Sequence, residues 1–297
     1  MNFEELKTKM VLKFPNHSES TIKIRISCTK RAMKECFGVS IFDPYYYENV
    51  RDFKQYIYGI PNKSVRKNLT AGLYKTLQAI DSDLTTVYKT FYHKMASESD
   101  EERIYKKPTK QEIPQQKTWD ELVQIRKDLF LKRDKSDNAF MRYLVASLYT
   151  KLPPLRQEEW IGSAFSDNGT NNYLDIDKKI LVLRNYKTKR QYGKRVITIP
   201  DSLIITMKKY KKRFNTNLVV CKVTDPYKAM SCAGIASYLR NIFGCSVCIL
   251  RKIYISNMLD DDQTTVTKRK DVAKIMSHGL KTQEFLYSTF SNRIKYE

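Results

Sequence analysis

The sequence predicts a mainly α chain carrying one small antiparallel sheet, an α+β fold. Three observations predict it. Apolar residues recur at helical spacing over most of the first hundred positions and again after Asp201. Short alternating runs are confined to residues 173–199. Residues 97–117 (SESDEERIYKKPTKQEIPQQK) hold charge, Pro108 and Pro114 but no periodic apolar face, and read as a linker between two helical regions.

Each element has its own signal. Ile22, Ile26 and Met33 set a loosely helical stripe over residues 20–37, and Gly38 closes it. A second helix begins in DPYYYENV and carries Val50, Phe53, Tyr56 and Ile57. A third spans 62–80, with Val65, Leu69, Leu73, Leu77 and Ile80 on one face; a fourth passes through Leu84, Val87, Tyr88, Phe91 and Met95. Their other faces carry Lys63, Arg66, Lys67 and Lys75. Those cations are either a solvated surface or the face of a bundle resting on DNA phosphates. Residues 1–110 therefore read as a helical DNA-binding unit and 118–297 as a second domain.

Thr118 and Glu121 form a capping box ahead of Trp119, Leu122, Val123, Leu129 and Phe130. A helix over 137–149 follows and stops before Pro153 and Pro154. YLDID, ILVLRN and KRVITIP read as three antiparallel strands, joined by Asp177-Lys178-Lys179 and by YKTKRQYGK. Helices are expected over 201–214, 231–243, 246–259, 267–277 and 282–290.

Lys and Arg number 54 against 32 Asp and Glu, a net charge of +22. That excess favours a polyanionic partner, because neutralising phosphates releases condensed counterions. A merely soluble basic protein is the alternative. No apolar run approaches the roughly 18 residues that a membrane span needs, and MNFEELKTKM lacks the apolar core of a signal peptide. An intracellular protein without membrane contact is expected. Six cysteines at irregular spacing argue against a disulfide scaffold. Cys245 and Cys248 form a CxxC without two further well-spaced ligands, so buried thiols are expected rather than zinc.

Attack on a phosphodiester without a metal requires the protein to supply countercharge as the phosphorane forms. Guanidinium suits this, since it stays protonated and grips two oxygens at once. Arg156 follows Leu-Pro-Pro-Leu, and Arg251 sits between Ile249-Leu250 and Ile253; charge among apolar residues is more often paired or functional than idle. Lys187 opens the second hairpin loop, where an ammonium can protonate a departing oxygen, with Lys189, Arg190 and Lys194 as competitors. His278 can donate to a non-bridging oxygen or simply cap a helix. Tyr287, nine residues later, is one of 20 tyrosines and gains weight only from these neighbours.

Residues 118–290 resemble the catalytic domain of the tyrosine recombinases, the phage-integrase family. LPPLRQEEW is similar to that family's first arginine box, with Arg156 as the arginine and Glu159 as its acidic companion. Lys187 takes the hairpin position of the catalytic lysine. CILRK resembles the second arginine box at Arg251, and MSHGLKTQEFLY resembles the last box, with His278 and the nucleophile Tyr287. Cys248 departs from the pattern, standing where the family places histidine or lysine, and a thiol is a poor phosphate donor. Lys252 departs too, where another histidine is common.

The resemblance implies a core-binding domain ahead of a catalytic domain, clamped on double-stranded DNA, with Lys63, Arg66, Lys67, Lys189 and Arg190 as DNA contacts. It implies strand exchange through a 3′-phosphotyrosyl ester, no metal or other cofactor, a homotetrameric synapse, and integration or excision of a viral or mobile element. A short tail with Phe290 and Ile294 could dock on a neighbouring subunit. A type IB topoisomerase, or an inactive DNA-binding relative favoured by Cys248, are the alternatives.

Overall fold

The computed structural model describes residues 1–104 and 108–291, apart from the side chains of residues 103, 104, 281 and 285. The middle of the predicted linker and Ile294 lie outside the described residues. The chain divides into two compact units, Met1–Tyr105 and Lys106–Glu297.

Unit 1 is built from α1 (Phe3–Lys13), α2 (Glu19–Phe37), α3 (Val50–Gly59), α4 (Lys63–Ala79) and α5 (Thr85–Ile104). Side-chain caps start most of them: Asn2, Ser18, Asn49 and Asn62 each accept from a backbone N–H of the first turn. Gly38 ends α2 at φ 71, a left-handed cap that suits glycine. The apolar stripes meet in one core that includes Leu6, Met33, Phe53, Leu73 and Tyr88. Helices α2 and α4 come especially close at Gly72, where an added Cβ would lie 2.7 Å from Cys28 Cβ and 2.8 Å from the Arg25 carbonyl oxygen.

Helix α5 corrects the linker expected at 97–117, since it continues to Ile104. No apolar stripe announces this extension because polar contacts hold it. Lys67 Nζ lies 2.8 Å from Asp100 and Arg66 reaches Glu98 at 3.9 Å. Buried Ser99 faces Ser64 at 3.4 Å. Arg66 also donates to the carbonyls of Ile60 and Tyr58. Two cations expected to face DNA thus already have partners on their own unit.

Unit 2 places α6 (Trp119–Lys132) and α7 (Asp137–Thr150) beside a three-stranded antiparallel sheet, β1 (Tyr173–Asp175), β2 (Ile180–Leu183) and β3 (Arg195–Thr198), in the order β1-β2-β3. The expected Thr118–Glu121 capping box is present. Short helix α8 (Gln157–Trp160) follows the two prolines, and short helix α9 (Lys189–Tyr192) lies within the loop expected between the second and third strands. After α10 (Asp201–Phe214) comes a hairpin that the sequence reading did not anticipate, β4 (Cys221–Lys222) with β5 (Asp225–Ala229). Then follow α11 (Cys232–Phe243), α12 (Val247–Asp260) and α13 (Val266–Ile275).

The helix expected over 282–290 is different. A short α14 (Leu280–Thr282) passes into a π-helical turn, Gln283–Tyr287. Such turns are frequent at functional sites. The core of the unit buries Trp160, Tyr149, Leu181, Phe243 and Leu250. Cys232 and Cys248 are exposed, contrary to the expectation of buried thiols; Cys248 faces outward from the first turn of α12. Among the described residues no single helix is long and apolar enough to cross a membrane.

Candidate active site

The two arginine segments are brought together by the core around them. Leu152, Pro154 and Leu155 are buried and turn the chain into α8, with Arg156 as its N-cap residue in extended conformation. The Arg156 backbone N–H donates to Glu159 Oε2 at 2.7 Å. Arg251 rides on α12 among buried Ile249, Leu250 and Ile253 and is itself 1% exposed. Its Nη1 donates to the Pro154 carbonyl and its Nη2 to the Met276 carbonyl, each at 2.7 Å. These acceptors stand two residues before Arg156 and two before His278. One guanidinium therefore braces both loops.

Tyr287 completes the cluster. Arg251 Nε points at Tyr287 Oη across 3.4 Å, and the guanidinium carbon lies 5.1 Å from the centre of the tyrosine ring. The His278 ring packs against the same ring at 5.0 Å, tilted by 31°. The π-helical turn carrying Tyr287 rests on a small cluster of Ile255, Met258, Val272 and Met276. Ser256 Oγ donates to the Tyr287 carbonyl at 3.3 Å, which ties the turn to α12.

His278 is 6% exposed. Burial, with the positive charges of Arg251, Arg156 and Arg195 beside it, pulls its imidazole down to about 4. Nδ1 lies 3.3 Å from the Gly279 carbonyl, so it carries the proton there, while buried Nε2 has no hydrogen-bond partner. Arg156 Nη1 is likewise buried and without a partner. These two buried polar atoms are groups that a ligand entering the cluster would satisfy.

Tyr149 is a second phenol near this cluster. It is fully buried, and burial together with Glu159 and Glu158 pushes it well above the ordinary range. That environment opposes its use as a nucleophile.

Not every predicted residue converges. Lys187 is exposed in the turn after β2, and among the described residues no hydrogen bond, ion pair or ring contact joins it to the cluster. Lys189 and Arg190 are exposed on α9, next along the same loop. Lys252, at the position where the family pattern expects another histidine, pairs with Glu112 at 2.6 Å.

Sequence reasoning missed Arg195. It lies on β3 opposite Leu183, is 5% exposed, and its Nη1 donates to Glu159 Oε1 at 3.1 Å and to Ser277 Oγ. The available signal was its place in an alternating strand: Arg195 shares the inward face with Ile197 and Ile199. A charged residue there must be paired.

No protein-family model and no curated protein sequence matches the chain. The crystal structure of XerA recombinase overlays on 97% of this chain and 94% of that chain, with a TM-score of 0.42 and 12% sequence identity. That likeness assigns no chemistry to this chain.

Proposed function

We propose that the protein breaks and rejoins double-stranded DNA as a tyrosine recombinase. One observation carries the reading: Arg251, braced between the Arg156 and His278 loops, points its Nε at the hydroxyl of Tyr287. A phenolic oxygen beside a fixed guanidinium, with unpartnered Arg156 Nη1 and His278 Nε2 nearby, suits attack on a phosphodiester.

The steps follow from the groups present. Arg251 has five N–H donors, three of them directed to Pro154, Met276 and Tyr287, so two remain for phosphate oxygens. Arg156 supplies Nη1. Tyr287 Oη passes its proton to His278 Nε2, the ring nitrogen left unprotonated when Nδ1 donates to Gly279, and bonds to phosphorus as the phosphorus bond to the 5′ oxygen breaks. The 5′ oxygen leaves with a proton from Lys187, which the exposed hairpin loop can present to a bound strand. A 5′-hydroxyl of a partner strand then gives its proton to the now neutral Lys187 and attacks the 3′-phosphotyrosyl ester, and Tyr287 leaves as it takes its proton back from His278. The ester conserves the energy of the broken bond, so the exchange needs no nucleotide cofactor.

Lys63, Arg66, Lys67, Lys189 and Arg190 would contact the duplex backbone, with Arg66 and Lys67 exchanging Glu98 and Asp100 for phosphates. Exchange between two duplexes implies a tetramer. Integration or excision of a viral or mobile element, inside a cell, is the task that fits such chemistry.

The test is a supercoiled plasmid library of genomic fragments, incubated with the protein and quenched with detergent. The reading expects protein–DNA adducts and recombinant junctions on sequencing. Adducts with relaxed plasmid but no junctions would favour a topoisomerase. Binding without adducts would leave a DNA-binding relative.

A further inference from the structure

We propose that Arg195 is the positioning residue of this site, a hub that fixes the three loops presenting Arg156, Lys187 and His278. What those residues do rests on the strand-transfer reading; how they are held does not.

Each loop is one contact from the Arg195 guanidinium. Towards α8, Nη1 donates to Glu159 Oε1 at 3.1 Å, while Glu159 Oε2 accepts from the Arg156 backbone N–H at 2.7 Å. Towards the hairpin, the guanidinium carbon lies 4.8 Å from the Tyr186 ring centre. Tyr186 Oη donates to the Gly193 carbonyl at 2.7 Å and so closes the loop that contains Lys187. Towards the end of α13, Nη1 donates to Ser277 Oγ and Nη2 to the Ile275 carbonyl. Ser277 Oγ in turn donates to Glu159 Oε1 at 3.2 Å, closing a buried ring of three side chains.

The backbone at Ser277 shows why this hub positions rather than merely fills space. Ser277 has φ 54, the left-handed conformation that usually belongs to glycine after a helix. A non-glycine residue stays there only when its surroundings hold it. The Arg195 and Glu159 bonds do so, and the next residue is His278. Arg195 itself does not take the phosphate: its charge is already paired with the buried Glu159 carboxylate, whereas Arg251 is held by neutral oxygens and Arg156 keeps an unpartnered Nη1.

The test uses full-length Arg195→Met, Arg195→Lys and Ser277→Gly. Only three histidines occur in the chain, so imidazole NMR can follow His278 directly. In Arg195→Met the His278 midpoint should rise above that of the wild type, because a cation beside it is gone and its turn loosens. Adduct formation should fall about 100-fold in Arg195→Lys, as a misplacement of about 1 Å does elsewhere, without a matching loss of DNA affinity. Ser277→Gly relieves the backbone, so it should stay folded yet form adduct more slowly. An unmoved His278 midpoint in folded Arg195→Met would overturn the proposal. So would wild-type adduct rates in both Arg195→Lys and Ser277→Gly. If the wild type forms no adduct, the strand-transfer reading fails, and the NMR titration still judges Arg195.

Discussion

Acid should weaken this protein through His278, and the size of the effect follows from its surroundings. Free histidine titrates near 6.5, while burial under three guanidinium groups brings His278 to about 4. Between those values the unfolded chain binds a proton that the folded chain refuses. Stability therefore rises with pH across that window: it is fully present above 6.5 and is lost as pH falls towards 4. The loss is about 1.4 kcal/mol at pH 5.5 and about 2.5 kcal/mol at pH 4.5. Glu112 and Asp167 are also held below the ordinary carboxylate range and add their own acid sensitivity. A His278→Gln variant keeps those carboxylates and removes the imidazole. Urea unfolding of wild type and variant from pH 7 to 4.5 isolates the difference. The wild type should lose about 2 kcal/mol more than the variant. Parallel profiles would mean that His278 is not buried under cationic groups, and the cluster as described would be wrong.

Other perturbations test other parts. Lys187→Ala should slow cleavage by about 100- to 10,000-fold, the usual loss on removing a general acid, and a 5′-bridging sulfur, which leaves without a proton, should restore the rate. Unrescued loss would give Lys187 another role. Gly72→Ala should destabilise unit 1 by about 1–3 kcal/mol in thermal unfolding, because its Cβ would press on Cys28 and on the α2 backbone. Cys248→His should raise single-turnover cleavage, since it puts a donor one turn before Arg251; an unchanged or lower rate would show that this exposed position takes no part.

Residues with a local signature were legible in the sequence. The Thr118–Glu121 box, the alternating strands and the apolar settings of Arg156 and Arg251 all depend on near neighbours. What escaped depends on distant partners. The last turns of α5 carry no apolar stripe because Asp100 and Glu98 meet α4 across the bundle. Arg195 looked like one more cation in a basic chain, since its acidic partner Glu159 lies 36 residues away and Ser277 lies 82 away. The π-helical turn at Tyr287 replaced an expected α-helix because Ser256 and the cluster under the tyrosine ring set its path.

Strand transfer by this protein requires a covalent bond between Tyr287 Oη and DNA. Detergent-trapped complexes from the plasmid library, digested with nuclease and protease, give peptides whose mass locates the nucleotide. A 3′-linked nucleotide is expected on the peptide containing Tyr287, absent from Tyr287→Phe protein. A nucleotide on any other residue, or an undiminished adduct in the phenylalanine variant, would contradict it.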